Sequence, residues 1–323
     1  MFKKIKTSLK RAILFILAIG LISVLVITFT NLFGDKLFSP KTTKILIDSD
    51  SGNEIDDLYA IARALIAPEL EVIGLNSAHW EFHPEAGDSS VDVSQGLNDD
   101  LLKYFKKSFI PHKRGAEGML RFWDEPIPRP SAASEFIIEK AREMEGKDKL
   151  NVVSLGAVTN VASAIIMDPE IIPKIRLYSM ALKYDPKLKA WNKNEFNVKG
   201  DLDAMDILLN TDGLEMFIMS ATTSQNLIFT KDETLKYLQG KGPEWDFLLN
   251  KWEEKFPASD TWIMWDVALI EAIINPDLVK LEQVLTPPEN KQRTVNVYTA
   301  LNKEMMLAEF WSSVNKAIKR NEK

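Results

Sequence analysis

Apolar and polar positions along the chain alternate between two textures. Short apolar runs bounded by polar clusters, at residues 44–48, 70–75, 150–155, 175–181 and 214–220, read as buried strands. Between them lie stretches with helical spacing, at 57–66, 134–144, 158–166 and 202–209. In the first of these Leu58, Ile61 and Leu65 share a face, and Pro68 stops the helix. Strands alternating with helices predict an α/β fold, with a mostly parallel central sheet flanked by helices. Such a sheet gathers its ligands at the carboxyl ends of its strands. The segment 80–130 is polar, irregular and rich in Pro, Gly and His, which predicts loops over one end of the sheet. A β-rich piece at 295–301 and a closing helix complete the pattern, with no second independent domain.

The amino end differs. Residues 1–11 hold five cations and no acid, and residues 12–29 hold no charge at all. Roughly 20 apolar residues cross a bilayer as a helix. The expectation is therefore a cytoplasmic basic end (1–11), a transmembrane signal-anchor (12–33), a linker (34–43) and a catalytic domain (44–323). A cleaved signal peptide is the competing reading. By the positive-inside rule the domain lies outside the cytoplasm, membrane-anchored, or secreted if the segment is cleaved.

Net charge changes the choice of partner. The whole chain carries −6, and without the five terminal cations 35 basic residues face 46 acidic ones, or −11. Nucleic acid is a poor partner for so acidic a body; a small molecule or a cation suits it. Cysteine is absent, which removes disulfides, thiolate nucleophiles and Cys-ligated metals together. Homo-oligomerisation is left open.

The densest chemistry lies just after the first strand, in Asp48-Ser-Asp50-Ser-Gly52-Asn-Glu-Ile-Asp56-Asp57. Five carboxylates within ten residues repel one another unless a proton or cation intervenes. A hard cation with oxygen ligands resolves this, and Ca²⁺ tolerates irregular geometry best. Gly52 is expected to allow a tight turn. The plainer reading makes Asp56 a helix cap and leaves the rest in solvent; it accounts for one aspartate, not for two directly after a buried strand. An EF-hand loop is excluded, because the twelfth position from Asp48 is Tyr59.

This stretch resembles the opening motif of the inosine–uridine-preferring nucleoside hydrolase family. Three later segments look like that family's motifs in order: Val152–Ala164, Asn194-Glu195-Phe196-Asn197, and Trp265-Asp266. The resemblance implies a nucleoside-hydrolase-like open sheet and a Ca²⁺-dependent hydrolase of N-ribosidic bonds. It implies Asp50, Asp57, Asp266 and the Leu155 carbonyl as Ca²⁺ ligands, with Asp48 supporting them from behind. Asp50 would be the general base for a water activated by the metal, attacking the anomeric carbon through an oxocarbenium-like state. Asp56 would hold the 2′-hydroxyl, and Glu195, Asn197 and Asp266 the remaining ribose hydroxyls.

Two departures bear on substrate. Three residues (Asn53, Glu54, Ile55) separate Gly52 from Asp56 where the family usually has one, which makes Glu54 a candidate ligand or sugar contact. Trp265 stands where pyrimidine-tolerant members carry a histidine acid, and a stacking indole favours purine nucleosides. Trp80, Trp123 or Trp191 could supply a second aromatic wall, while His79, His83 and His112 read as ordinary loop hydrogen bonders. Three alternatives stay open: another glycoside on the same fold, a non-catalytic sugar- or nucleoside-binding surface protein, and a haloacid-dehalogenase-like phosphatase using Asp48 as nucleophile.

Overall fold

A computed structural model describes residues 42–87 and 89–321. The chain divides at Thr42/Thr43 into two units, and the described residues belong almost wholly to the second. Its centre is an eight-stranded sheet: β1 Thr43–Ser49, β2 Leu70–Ser77, β3 His112–Lys113, β4 Leu150–Ser154, β5 Ile175–Met180, β6 Glu215–Met219, β7 Val279–Leu285 and β8 Thr294–Leu301. In space they run β7-β8-β6-β5-β4-β1-β2-β3. Every neighbouring pair is parallel except β7 with β8. The expected mostly parallel α/β architecture is what forms.

Helices join and cover the strands: α1 Asp56–Ile66, α2 Ser90–Tyr104, α3 Ala132–Arg142, α4 Thr159–Met167, α5 Phe196–Gly200, α6 Leu202–Asn210, α7 Ala221–Ser224, α8 Lys231–Leu238, α9 Pro243–Lys255, α10 Trp265–Ile274 and α11 Lys303–Asn321. Because successive strand side chains point to opposite faces, each strand feeds two cores. In β1, Ile45 and Ile47 enter the core shared with α1 and α8–α11, while Leu46 enters the one shared with α3, α4 and α6. In β4, Val153 and Val152 divide in the same way.

This order places the site. From β1 the chain winds outward through β2 to β3, then returns to β4 beside β1 and winds the other way. The crevice at the carboxyl ends of β1 and β4 is thus the topological switch point, where open α/β sheets bind ligands. Asp48 of β1 pairs in register with Ser154 of β4, and the Leu155 N–H donates to the Asp48 carbonyl at 2.8 Å.

Two expectations need correcting. The membrane helix and the extracytoplasmic placement built on it are not carried further. Among the described residues no helix is long and apolar enough to cross a membrane, and residues 12–33 lie outside them. The segment 80–130 is not all loop, since it contains α2, a helix of 15 residues. Hydrophobic periodicity missed it because part of its buried face is polar: Ser90, Ser94 and Asn98 are enclosed along with Val91, Leu101 and Leu102. Those polar groups hold the acidic loop.

Candidate active site

The loop after β1 is fixed from two sides. From α2, the Ser94 carbonyl and Asn98 Oδ1 accept from Ser51 Oγ, at 3.3 and 2.7 Å, and the Gly52 N–H donates to Ser94 Oγ at 3.3 Å. From α9, Lys255 Nζ donates to the carbonyls of Gly52 and Asn53 and lies 5.7 Å from the centre of the Trp80 ring. Gly52 is required here for a reason other than the expected turn. Its φ is not in the left-handed region, but a Cβ would sit 2.8 Å from Trp80 Nε1 and 3.1 Å from the Ser94 nitrogen.

Asp56 and Asp57 then open α1, and Asp266 sits in the first turn of α10. Both helix N-termini favour anions there. The Asp266 N–H donates to Asp56 Oδ2 at 3.1 Å, and Ser49 Oγ donates to Asp57 Oδ1 at 2.6 Å. One carboxylate oxygen from each of Asp56, Asp57 and Asp266 lies within 4.8 Å of the others. Asp50 joins them electrostatically. Burial raises its pKa first, and then the charges of Asp57, Asp56 and Glu54. Asp56 is raised by burial and then by Glu54 and Asp57, and Asp266 by burial and then by Asp57, Asp56 and Asp50. Burial lifts Asp57 to about 6 and Glu54 to about 7. Asp266 Oδ1 is buried without a hydrogen-bond partner. An oxygen-only, mutually repelling, partly unsatisfied set of this kind fits a hard divalent cation.

These groups floor a cavity of about 420 Å³, a size suited to a small ligand. Asp50, Asp56, Asp57, Leu155, Glu195, Asn197, Trp265 and Asp266 all line it. Glycine at 156 makes room for Asp50, since a Cβ there would lie 2.7 Å from the Asp50 Cγ. Glu195 caps α5, accepting from the N–H groups of Asn197 and Val198, each at 3.1 Å, and of Leu182 at 3.3 Å. Asn197 commits both amide protons to carbonyls, Leu155 at 2.7 Å and Met180 at 2.9 Å.

Asp48 lies behind the cavity rather than on its wall. It is fully buried, accepts from Asn160 Nδ2 at 2.8 Å, and burial lifts its pKa to about 7. A carboxyl so enclosed cannot reach a phosphoester, which removes the phosphatase reading. Asp201 is committed elsewhere too, accepting from Thr159 Oγ1 at 2.6 Å and from the N–H groups of Leu120 and Ala204.

The aromatic walls differ from expectation. Trp80 is buried against Gly52, Trp123 is 87% exposed, and Trp191 donates to the Leu285 carbonyl; none lines the cavity. Phe196 does, from inside the Asn-Glu-Phe-Asn motif. Glu54, Lys183 and Lys199 also line it. None of the three histidines does: His79 is buried on Thr159 Oγ1 at 2.8 Å, His83 accepts from the Glu85 N–H, and His112 pairs with Asp99 at 3.0 Å.

The chain is similar to known proteins both in sequence and in fold. A probable uridine nucleosidase 2 of Arabidopsis thaliana is 30% identical over 217 residues, 62% of this chain and 65% of that protein. The chain thus spans just under two thirds of that relative. A probable uridine nucleosidase 2 of Oryza sativa subsp. japonica is 25% identical over 264 residues, 74% of this chain and 76% of its own. The fold is shared with a solved plant nucleoside hydrolase (TM-score 0.66, 19% identity, 84% of this chain and 98% of that one). An inosine-guanosine nucleoside hydrolase superposes with a TM-score of 0.63 at 22% identity, over 84% and 98% of the two chains. The family model for inosine-uridine preferring nucleoside hydrolases matches residues 45–321, nearly the whole described body, and the chain belongs to that family.

Proposed function

We propose that the chain hydrolyses the N-ribosidic bond of nucleosides, with purine nucleosides preferred and Ca²⁺ as its resident cation. The observation that carries this reading is the convergence of Asp56, Asp57 and Asp266 on the floor of a cavity that also holds Asp50, Glu195, Asn197 and Trp265.

In this reading Asp50, Asp57, Asp266 and the Leu155 carbonyl hold the cation, which when bound acidifies and orients water. Asp50 takes the proton from the attacking water; a cation opposes the burial and the neighbouring charges that raise its pKa. Asp56 Oδ2 is held by the Asp266 N–H, and its other oxygen serves the ribose 2′-hydroxyl. Glu195, its carboxylate pinned by three backbone N–H groups, and Asn197 Oδ1 take further hydroxyls. No histidine lines the cavity, so no imidazole protonates the departing base. The names of the two plant relatives point to uridine, and that of one solved neighbour to inosine and guanosine. The flat indole of Trp265 argues for the larger base in this chain.

The test is free-base release from inosine, guanosine and uridine. The two purine nucleosides should be cleaved faster, and all release should stop with chelator and with Asp50→Ala. Release that survives both treatments overturns the mechanism. One observation favours a second reading, hydrolysis of another glycoside: the enlarged loop sets Glu54 on the cavity wall. A glycoside panel read by new reducing ends separates the two.

A further inference from the structure

The enlarged loop brings to the cavity one acid that the hydrolysis of an ordinary nucleoside leaves without a task. Glu54 lines the cavity and is half-buried. The Trp262 side chain stands beside it, stacked on Phe256 with ring centres 3.7 Å apart, and three residues later the chain reaches Trp265. Of the neighbouring charges, that of Glu54 acts most on Asp56, whose Oδ2 accepts from the N–H of Asp266, the residue after Trp265. The charge of Glu195, at the start of α5, reaches Glu54 as well. Its carboxyl group is therefore bracketed by groups of the cavity, on the side of Trp265, to which the base is assigned.

These surroundings suit positive charge. Six acidic side chains line the cavity, against two lysines, Lys183 and Lys199, that are both exposed. Lys255, whose charge also acts on Glu54, gives its ammonium to the carbonyls of Gly52 and Asn53. Trp265 and Phe196, both half-buried, add aromatic rings to the same wall, and a ring face attracts a cation within about 6 Å of its centre. The leaving group points the same way. No histidine lines the cavity, and a neutral purine nucleoside releases its base as an anion unless an acid protonates it. A base that already carries a positive charge departs neutral and needs no acid.

We infer that the preferred substrate is a nucleoside with a cationic base, a purine alkylated at N7, and that Glu54 selects it by facing that charge; the inference rests on the N-ribosidic reading of the site. The water oxygen bonds to C1′, and the C1′–N9 bond breaks with its electron pair leaving on the base, which cancels the positive charge. The proton lost by the water passes to Asp50 and then to solvent. Ribose and a neutral alkylated purine are the products, and no oxidant or reductant is needed.

The experiment compares kcat/KM for 7-methylguanosine and guanosine on the Ca²⁺-loaded protein, following the free base. The ratio of the cationic to the neutral nucleoside should exceed one. In Glu54→Gln it should fall by roughly tenfold or more, the effect of one opposite charge on a neighbouring ionic equilibrium. A second measurement needs neither the variant nor the intrinsic lability of the cationic bond: the 7,9-dimethylguanine cation should inhibit guanosine cleavage by the wild-type protein more strongly than 9-methylguanine does. Cleavage of guanosine with a ratio below one overturns the inference while the N-ribosidic reading stands. So does a ratio that Glu54→Gln leaves unchanged or raises, the latter making Glu54 the acid for a neutral base, and so does equal inhibition by the two methylated purines. Base released from neither nucleoside overturns both.

Discussion

Arg63 Nε donates to Glu271 Oε1 at 2.6 Å, between two side chains that are 1% and 0% exposed. The pair joins α1 to α10, the two helices whose first turns bring Asp56, Asp57 and Asp266 together. It lies about two turns below the carboxylates and fixes the separation of the helices that carry them. Arg63 Nη1 has no partner, so the bridge does not recover its full desolvation cost. Breaking one side strands a buried charge, which costs about 3–5 kcal/mol, whereas replacing both partners with apolar residues is often neutral or better. Arg63→Met should therefore lower stability to urea by that amount, and Arg63→Met/Glu271→Leu should recover most of it. A double variant as unstable as the single one would show that the charge pair is not what holds the helices.

Asp50 and Asp57 should separate by assay. Asp50→Asn keeps the shape of the loop but removes the proton acceptor, and should slow base release about 10²–10⁴-fold, the usual share of a general base. Ca²⁺ binding by calorimetry should weaken too, since Asp50 is also an assigned ligand, but saturating Ca²⁺ should not restore turnover. Asp57→Asn removes a carboxylate from the cluster and should weaken Ca²⁺ binding as well as turnover. Equal Ca²⁺ affinity in wild type and Asp57→Asn would remove that residue from the cation site.

Much of this site is legible in the residues alone. The strand ending at Asp48 and the helix opening at Asp56 are local patterns, and they place five carboxylates without knowledge of the fold. That Asp266, more than two hundred residues away, completes the cluster came only from the resemblance, because spacing says nothing about which helices will be neighbours. The helix α2 stayed hidden because its contact with the loop is made by Ser94 and Asn98, hydrogen-bonding residues that leave no apolar stripe. Lys183 was invisible for a related reason: its placement depends on the left-handed turn at Leu182, which nothing in the residue type announces.

The cluster also sets the pH response. In the folded protein burial raises Asp48 to about 7 and Asp57 to about 6, and raises Asp50, Asp56 and Asp266 as well. Unfolded, they titrate near about 3.9. Between these values the folded state holds more protons than the unfolded one, so stability falls as pH rises. Chelator-treated protein should melt at a lower temperature at pH 8 than at pH 5. Added Ca²⁺, which binds the ionised form, should raise the melting temperature more at pH 8. A stripped protein that is more stable at pH 8 contradicts the assigned burial of these groups.

In the proposed reading Trp265 carries a preference for purines. Stacking against an indole adds about 0.5–1.5 kcal/mol beyond area burial. Trp265→Ala should therefore raise KM for inosine by at least about threefold and change uridine less. A uridine KM that rises as much as that for inosine would mean that the indole shapes the cavity without reading the base.

Among the described residues, Lys255 is the one cation held against the enlarged loop by direct hydrogen bonds, through the carbonyls of Gly52 and Asn53. Its charge also faces Asp57, Asp50 and Glu54, which oppose the lowering of its own pKa by burial. It therefore does two things: it closes the loop enlarged by two residues, and it offsets part of the repulsion in the carboxylate cluster. Lys255→Met removes both, and a hydrogen bond from a charged group contributes about 1.5–3 kcal/mol. The bound cation supplies the second function, but not the first. The loss in melting temperature should consequently be larger in chelator-treated protein than in Ca²⁺-loaded protein at pH 8, and the two losses should converge at pH 5, below the values of about 6 and about 7 to which Asp57 and Glu54 are raised. Equal losses under all three conditions would leave Lys255 as a loop tie with no electrostatic part in the site.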